Sequence, residues 1–375
     1  MSYYTPRVVA EIDVEAIKHN YNQIKQNVAV DTEVMPVVKA DAYGHGAIEI
    51  ANILQNEGAK RFAVAIVKEG EELREAGITS PILVLGYTPK ADIEALICNQ
   101  LTQTVFSYEM AKEIASHAQR LNKVVNIHIK VDTGMGRIGF LPTQRSLEEI
   151  IKIADLKNLH IEGIFTHFAT ADEQDDTYTK KQWTIFGNFV NDLRKAGIII
   201  PIVHTANSAA IINHEYTHCN MVRPGIILYG YYPSEYLQGK KLDLRPSMTL
   251  KSQIVHVKEL PEGYYISYGR KYCTHHKTKI ATIPIGYADG YSRRLTNKGR
   301  VLINGQYAHI VGTVCMDQFM VDVSHIEDVC VGDEVVLFGT QEGSSISVEE
   351  IANILDTISY EIVCMVGKRV PRVYR

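Results

Sequence analysis

The sequence predicts a closed (β/α)8 barrel, an α/β fold resembling a TIM barrel, followed by a mostly β C-terminal domain. Eight short β-branched runs alternate with helical patterns up to about Tyr231. The usual size of such a barrel, ~250 residues, fits this stretch. Beyond it the pattern changes to strands separated by turn signals. We expect the barrel over residues 1–240, with its first ~10 residues free to pack with the second domain, and the β domain over residues 241–375.

The eight strand candidates are bounded by turn residues and separated by helical patterns. They are VMPVVK from Val34, RFAVAI from Arg61, PILVLG from Pro81, LTQTVF from Leu101, VVNIHIKVD from Val124, LHIEGIFTH from Leu159, IIPIVHT from Ile199 and NMVRPGIILYG from Asn220. Between them, YEMAKEIASHAQRL and KKQWTIFGNFVNDLRKAG have apolar residues three to four apart, which predicts amphipathic helices.

The second domain begins after a polar segment, Tyr231 to Pro246, that contains proline. Five alternating segments then predict strands: LKSQIVHVKEL, KIATIPIGYADG, RVLINGQYAHIVG, FMVDVS and DEVVLFG. A late helix is expected from Ser347, because SVEE has the form of a capping box.

Composition favours small-molecule chemistry over nucleic-acid or membrane binding. The 375 residues are 46% hydrophobic and 22% charged, with a net charge of -4 and a pI near 6.4. These values provide no basic field for nucleic acid or anionic lipid. Six scattered cysteines predict reduced thiols in a cytoplasm, and we expect neither an export signal nor a membrane span.

Polar residues cluster at the predicted carboxyl ends of five strands, where a barrel of this type carries its chemistry. They are Lys39, Tyr43, Gly44 and His45 after the first strand, Arg137 after the fifth, Thr166 and His167 on the sixth, Asn207 and Ser208 after the seventh, and Arg223, Gly225 and Ile226 on the eighth. Taken singly, each of these residues can be explained without a catalytic or binding role. A lysine at a strand end, for example, is usually a solvated rim residue. Together, the glycines and hydroxyls after the last two strands match the usual phosphate site of barrels. A phosphate site and Lys39 suggest a phosphorylated aldehyde held as a Schiff base, pyridoxal 5′-phosphate (PLP).

Eight motifs across both domains resemble those of the alanine racemase family. They are VVKADAYGHG at 37–46, KVDTGMGRIG at 130–139, THFATAD at 166–172, HTANSAA at 204–210, SYG at 267–269, IPIGYADGYSRR at 283–294, VGTVCMDQ at 311–318 and TISYEI at 357–362. The resemblance implies a cytoplasmic, PLP-dependent isomerase that interconverts L- and D-alanine through a Schiff base of substrate and cofactor. Its product would supply D-alanine for bacterial peptidoglycan.

The resemblance also implies a pair of catalytic bases. Lys39 would bind the cofactor covalently and then act on one face of the substrate α-carbon, and Tyr268 would act on the opposite face. Racemisation needs such a pair, because a proton taken from one face must be replaced from the other.

The remaining site residues are implied in the same way. The proposed cofactor ligands are Tyr43, Ser208, Gly225, Ile226 and Tyr360 for the phosphate, Arg223 for the pyridine nitrogen and Arg137 for the ring hydroxyl. His167, also counted with the cofactor-binding residues, would be linked to Arg223 and lie beside Tyr268. Arg137 and Met316 would also bind the substrate carboxylate, Tyr287 would gate access, and Lys130 matches a position that many members carbamylate. No metal is expected.

Tyr268, Met316 and Tyr360 follow the barrel in sequence. In the family that these motifs resemble, the tyrosine base and the carboxylate-binding methionine come from the partner subunit, so the resemblance implies a homodimer whose active sites are shared between subunits. Four other interpretations stay open on the residues alone. A PLP racemase of serine, or of a broader range of amino acids, would use the same site. A PLP decarboxylase would not require Tyr268, and a PLP carrier without activity would resemble the barrel alone. A metal-dependent hydrolase would need converging ligands, a pattern that His128, His167 and His204 do not show.

Overall fold

The computed structural model describes residues 7–375, and the chain divides into two units. The unit that we call the barrel unit comprises Ala16–Ala42 and Gly46–Arg245. The unit that we call the β unit comprises residues 7–15, Tyr43–His45 and Pro246–Arg375. In the described chain, no helix is both long and apolar enough to cross a membrane.

The predicted barrel is confirmed. Among the described residues, the first strand is β1 (Val8–Ile12) in the β unit, and eight parallel strands follow in the barrel unit. They are β2 (Glu33–Val34), β3 (Phe62–Val64), β4 (Ile82–Val84), β5 (Thr102–Val105), β6 (Val125–Lys130), β7 (Leu159–Phe165), β8 (Ile202–His204) and β9 (Met221–Val222). Neighbours pair in the order β2-β9-β8-β7-β6-β5-β4-β3, and a parallel bridge between Val37 and Ala63 closes the ring.

Helices follow the strands as the periodicity predicts. They are α1 (Val14–Gln26), α2 (Lys39–Gly44), α3 (Ala47–Asn56), α4 (Val67–Glu75), α5 (Ile93–Cys98), α6 (Tyr108–Arg120), α7 (Gln144–Ala154), α8 (Thr177–Lys195) and α9 (Ser208–Asn213). Helix α6 shows why: Ser107 caps it by accepting a hydrogen bond from the Met110 amide, and its apolar residues fall on one buried face. The two helices predicted within the barrel, α6 and α8, are confirmed.

Several strand predictions are too long, and two barrel runs show this most clearly. The VMPVVK run is a strand only up to Val34, and Lys39 begins α2 rather than ending a strand. NMVRPGIILYG contains two strand residues, after which Ile226–Tyr229 forms a 3-10 turn. Apolar character reflects burial in these runs, and burial does not require a strand.

The β unit is built on a large, mostly antiparallel sheet, as the alternating pattern predicts. Its further strands are β10 (Met248–Gln253), β11 (His256–Leu260), β12 (Tyr265–Ile266), β13 (Tyr272–Cys273), β14 (Thr278–Ile283), β15 (Arg300–Ile303), β16 (Gln306–Ile310), β17 (Phe319–Asp322), β18 (Glu334–Gln341), β19 (Ser344–Ile346) and β20 (Arg372–Tyr374). Strand β1 pairs with β10 and β20. Helices α10 (Val348–Leu355) and α11 (Ser359–Met365) follow β19, and Ser347 caps α10 as expected.

Candidate active site

Lys39 begins a strained turn at the carboxyl end of the first barrel strand. The next four residues, Ala40 to Tyr43, have φ between 52 and 54°, in the left-handed region. A left-handed conformation costs an L-residue about 1–2 kcal/mol, so a run of four is costly unless other contacts hold it.

Two carboxylates hold this turn. Glu69 of α4 accepts hydrogen bonds from the amides of Ala40 at 2.7 Å and Ala65 at 2.7 Å. Asp41 accepts one from the Ala47 amide at 2.8 Å. Because backbone strain held by specific side chains is typical of functional segments, this turn marks Lys39 as a positioned residue.

Arg137 lies on a loop that one carboxylate organises. Asp132 accepts hydrogen bonds from the amides of Gly134, Gly136 and Arg137, at 2.9, 3.1 and 3.0 Å. Burial alone would raise the pKa of Asp132, but these amide donors outweigh it and lower the pKa. Gly139 approaches so closely that a Cβ there would lie 2.4 Å from the Asp132 nitrogen. The DTGMGR segment is therefore a rigid loop that presents an exposed arginine.

Arg223 is a buried cation held by neutral groups. Its Nη1 donates to His204 Nδ1 at 2.9 Å, and its Nη2 donates to the carbonyl oxygens of Thr166 and Thr205, each at 2.9 Å. Burial lowers the pKa of Arg223 to about 9, so the guanidinium stays charged near neutral pH. These bonds fix its plane at the ends of three adjacent strands.

A chain of hydrogen bonds continues from Arg223 through the barrel interior. His204 Nε2 lies 2.8 Å from His128 Nδ1, and His128 Nε2 lies 3.2 Å from Glu162 Oε2. An arginine only donates, so His204 must accept at Nδ1 and donate from Nε2. His128 then accepts at Nδ1 and donates to Glu162, which also pairs with Arg61 at 2.9 Å. Both imidazoles are therefore neutral, with their tautomers assigned by the chain.

The pKa values of this chain agree with that assignment. Burial is the main cause that lowers the pKa of both His128 and His204. For Glu162, burial would raise the pKa, but the His128 hydrogen bond and the Arg61 charge lower it to about 2. Gly163 makes room for the chain, because a Cβ there would lie 2.5 Å from the His128 ring.

The barrel unit brings four predicted site residues around His167. Burial lowers the pKa of His167 well below its ordinary range, and the nearby charges of Arg223, Lys130, Arg137 and Lys39 lower it further. The guanidinium groups of Arg223 and Arg137 make this end of the barrel positive, which suits an anionic ligand.

Among the charged residues near His167, Lys130 is unusual because its amine is buried. It is only 3% exposed, and its Nζ has no hydrogen-bond partner within residues 7–375. Burial, then the charges of Arg223 and Arg137, lower its pKa well below the ordinary value. A buried amine without a partner is costly, and its lowered pKa favours the neutral, nucleophilic form.

Three of the predicted phosphate ligands lie together after the last two barrel strands. Ser208 begins α9, whose cap Asn207 accepts a hydrogen bond from the Ala210 amide at 3.0 Å. The Ser208 hydroxyl accepts a hydrogen bond from the Gly225 amide at 2.8 Å, and Ile226 starts the next turn. Two turn N-termini and a buried hydroxyl thus lie together, a set of donors that matches phosphate oxygens.

The other two proposed phosphate ligands belong to the β unit. Tyr43 and Tyr360 have ring centroids 6.1 Å apart. Burial, with a smaller effect of Cys364, raises the pKa of Tyr43, so its phenol remains a hydrogen-bond donor. Gly44 has φ of 83°, and a Cβ there would lie 2.4 Å from the Val363 carbonyl oxygen, so this position requires glycine.

Tyr268, Tyr287 and Met316 lie on connected turns of the β unit. Tyr268 follows Ser267, whose φ of 64° and ψ of -177° fall in a region occupied mainly by glycine. The Tyr287 amide donates to the Cys315 carbonyl at 3.1 Å, and the Ala288 amide donates to the Met316 carbonyl at 3.0 Å. In the isolated chain these side chains are exposed: Tyr268 by 72%, Met316 by 52% and Tyr287 by 43%.

Sequence reasoning missed the buried chain behind Arg223. His204, His128 and Glu162 lie within strands, where a polar residue usually indicates local packing. The sequence does carry one signal: on consecutive predicted strands, each of the three polar residues directly follows an isoleucine or a valine, so the polar and the apolar side chain point to opposite faces of the strand. Contacts follow from that signal only when the strand register is known. In the sheet, His128 of β6 pairs with Gly163 of β7, and Phe165 of β7 pairs with His204 of β8.

A barrel with a strained turn after a lysine, a buried arginine, and hydroxyl and amide groups clustered after its last two strands, followed by a β unit, fits the class of barrel-type PLP enzymes that act on amino acids. Two family models match the chain: "Alanine racemase, N-terminal domain" over residues 12–233 and "Alanine racemase, C-terminal domain" over residues 247–374. The chain belongs to the alanine racemase family, and its activity is the PLP-dependent racemisation of alanine, an isomerase reaction.

Similar proteins match this chain over nearly its full length. An alanine racemase of Clostridium tetani is 55% identical, covering 98% of this chain and 95% of the relative. A solved alanine racemase of Clostridium difficile 630 is 47% identical, with a TM-score of 0.96 and coverage of 100% of this chain and 97% of that one. The alanine racemase of Bartonella henselae, solved with covalently bound pyridoxal phosphate, is 31% identical, with a TM-score of 0.88. The match covers 99% of this chain and 100% of that one.

The residues present fit this cofactor. Arg223 is a buried cation whose three hydrogen-bond acceptors are all neutral, which suits a further neutral acceptor such as a pyridine nitrogen. Ser208 and the Gly225–Ile226 turn suit a phosphate, and Lys39 is the type of residue that forms a Schiff base with an aldehyde.

Proposed function

We propose that Lys39 and Tyr268 are the two bases of the racemisation, one for each face of the substrate α-carbon. One observation carries the proposal: both residues adjoin backbone in left-handed conformations, at Ala40–Tyr43 and at Ser267, although none of these residues is glycine. Strain of this kind persists where the surrounding structure holds a side chain in one position. A lysine and a tyrosine so held can each take and return a proton.

Bound PLP supplies the electron withdrawal that makes the α-hydrogen acidic. We assign its phosphate to Tyr43, Ser208, Gly225, Ile226 and Tyr360. Tyr43 and Tyr360 offer phenols, Ser208 offers a hydroxyl and Ile226 a backbone amide, while the Gly225 amide donates to the Ser208 oxygen and orients that hydroxyl. Such donors suit a dianionic group.

Arg223 would face the ring nitrogen of the cofactor. A guanidinium only donates hydrogen bonds, so this arginine keeps that nitrogen unprotonated. The chain from Arg223 through His204 and His128 to Glu162 holds the guanidinium in place and uses only neutral imidazoles. We propose that this arrangement limits transamination as a side reaction.

The substrate carboxylate is assigned to Arg137 and to the backbone of Met316. An arginine matches a carboxylate in charge and in fork geometry. Asp132 restrains the Arg137 backbone, which reduces the cost of placing the guanidinium. Tyr287 is proposed as the gate of the access path, and His167, kept neutral, lies beside Arg223.

Incubation of the holoenzyme with L-alanine in deuterated water tests the function. We expect D-alanine that carries deuterium at Cα, because the proton returned from solvent-exchanged Lys39 or Tyr268 comes from the medium. Chiral chromatography with mass spectrometry measures it. The same incubation with L-serine tests the alternative of a serine or broad racemase, since one hydroxyl gives only modest discrimination. D-alanine without label, or no D-alanine, would contradict the proposal.

We propose that the protein acts as a homodimer with active sites shared between subunits. Tyr268, Met316 and Tyr287 are too exposed in one chain to work in a water-excluded site. Tyr264, Tyr265 and Ile358 of the same unit are exposed as well, which adds apolar surface suited to an interface. Tyr268 would then serve the site that contains Lys39 of the partner subunit.

We also propose that Lys130 is carbamylated. The neutral Nζ would attack the carbon of carbon dioxide: an N–C bond forms while one C=O π bond breaks, with its electron pair moving to oxygen. One N–H proton is released to solvent, which leaves a carbamate anion. Arg137 and Arg223, whose charges lower the pKa of Lys130, would then stabilise that anion instead of opposing a cation. The modification would satisfy the Nζ that has no partner within residues 7–375.

Lys130→Ala tests this modification. With 13C-labelled bicarbonate, we expect a carbamate carbon signal by NMR in the wild type and in the exposed-site control Lys157→Ala, and none in Lys130→Ala. The KM for alanine in Lys130→Ala should rise about tenfold with a smaller change in kcat, because Arg137 loses an orienting anion. An unchanged signal in Lys130→Ala, or none in the wild type, rules out carbamylation at this lysine.

We place the enzyme in the cytoplasm, where it would supply D-alanine for peptidoglycan. All six cysteines are free, which supports a reducing compartment.

A further inference from the structure

We infer that the hydroxyls of Ser267 and Thr313 position Tyr268 for proton transfer, a role that rests on the proposed function of Tyr268 as a base. The Ser267 hydroxyl donates to the Thr313 carbonyl oxygen at 2.7 Å. The Thr313 hydroxyl donates to the Tyr268 carbonyl oxygen at 2.8 Å. The two bonds join the same two segments in opposite directions, and we call this pair the hydroxyl clamp.

The backbone at Ser267 indicates that its hydroxyl is required. Its φ of 64° and ψ of -177° are readily adopted by glycine and disfavoured for residues with a Cβ. Glycine would therefore be the less strained residue at this position. A serine there adds the hydroxyl that reaches Thr313, and that same hydroxyl lies 3.4 Å from the Cys315 sulfur.

The segment opposite Tyr268 is itself anchored. The Gly312 amide donates to the Asn297 side chain at 2.6 Å, and the Val314 amide donates to the Thr296 hydroxyl at 3.1 Å. Thr313 between them is buried. The clamp thus ties the backbone of Tyr268 to a fixed support rather than to a mobile loop.

The exposure of Tyr268 makes this backbone restraint important. Its ring has little of its surface covered within the chain, so packing in the β unit contributes little to its direction. The direction of the phenol then depends on the Tyr268 backbone. A misplacement of about 1 Å in a reacting group can lower a rate about 100-fold, so loss of the clamp should reduce proton transfer at this face.

Two variants remove the clamp in different ways. In Ser267→Gly and in Thr313→Val, we expect kcat for alanine racemisation to fall about 10- to 100-fold, with KM changed less than about twofold. Thr313→Ser keeps a hydroxyl and should stay within about threefold of the wild type. Ser267→Gly should unfold at a temperature no lower than the wild type, since glycine relieves strain. A fall in kcat in Ser267→Gly then cannot be attributed to unfolding. This holds even if Thr313→Val proves unstable.

A second measurement shows whether the clamp acts through Tyr268. Hydrogen exchange at Cα in deuterated water is followed separately for each alanine enantiomer. In Ser267→Gly, exchange should slow for one enantiomer only, and adding Ser267→Gly to Tyr268→Phe should cause no further loss. Cofactor content, measured by absorbance, should equal that of the wild type in every variant.

The outcomes separate the two proposals. If Tyr268→Phe retains full racemisation, both the base assignment and the clamp are wrong. If Tyr268→Phe abolishes racemisation while Ser267→Gly and Thr313→Val keep wild-type kcat, only the clamp is wrong. Equal slowing of exchange in both enantiomers by Ser267→Gly would also overturn it.

Discussion

Replacing Tyr268 by phenylalanine is expected to lower racemisation about 10²- to 10⁴-fold in both directions, the usual contribution of a general acid or base. The change removes only the phenol oxygen from an exposed ring, so the fold should be unaffected. Under the proposed two-base mechanism, Lys39 would still take and return a proton on its own face. In deuterated water we therefore expect one alanine enantiomer to exchange its α-hydrogen with retention of configuration while the other hardly exchanges.

Tyr264→Phe is the matched control, because Tyr264 lies four residues away in the same unit and is also exposed. It should racemise alanine at the wild-type rate. Exchange is followed by proton NMR of each pure enantiomer over time, and product configuration is checked by chiral chromatography. Equal exchange of both enantiomers by Tyr268→Phe would show that a group other than Tyr268 serves the second face.

Mixing two inactive variants should restore activity if the active sites are shared between subunits. Lys39→Ala lacks one base and Tyr268→Phe lacks the other, so each homodimer has two defective sites. After subunit exchange, half of the dimers are mixed, and each mixed dimer has one site with both wild-type residues. We expect about a quarter of the wild-type activity, the fraction of intact sites for random pairing of equal amounts of subunits.

The control for this experiment mixes Lys39→Ala with the double variant Lys39→Ala/Tyr268→Phe. No combination of these subunits makes an intact site, so activity should stay at the level of the separate proteins. Native mass spectrometry establishes that mixed dimers have formed. Mixed dimers without recovered activity would mean that each site is built within one chain.

The barrel could be predicted from the sequence because its signal is repeated. Eight apolar runs and the helical patterns between them each report burial at a local period, and all eight runs contain a strand. Strand lengths could not be predicted equally well. Whether Val37 or Met221 lies in a strand depends on partners across the barrel, such as Ala63 and His204, which local sequence does not identify.

The candidate site, too, was only partly predictable from the sequence. The motifs around Lys39, Arg137, His167, Ser208 and Arg223 could be picked out from the sequence because polar residue types follow the strand ends in order, and their roles stay predictions. The interior chain was not predicted, since His128 and His204 are 76 residues apart and meet only through the register of β6, β7 and β8. Register follows from pairing over the whole sheet, so single strands do not reveal it.

KADAYG, at 39–44, illustrates the limit most clearly. The sequence by itself determined that a lysine follows the first strand and that a tyrosine and a glycine come next. Local propensity favours a right-handed conformation for its two alanines. The left-handed turn was decided by tertiary structure, because Glu69, nearly thirty residues away, binds the Ala40 amide, and Gly44 lies against the Val363 carbonyl. A sequence specifies which groups are present, whereas strained conformations depend on distant contacts that offset their cost.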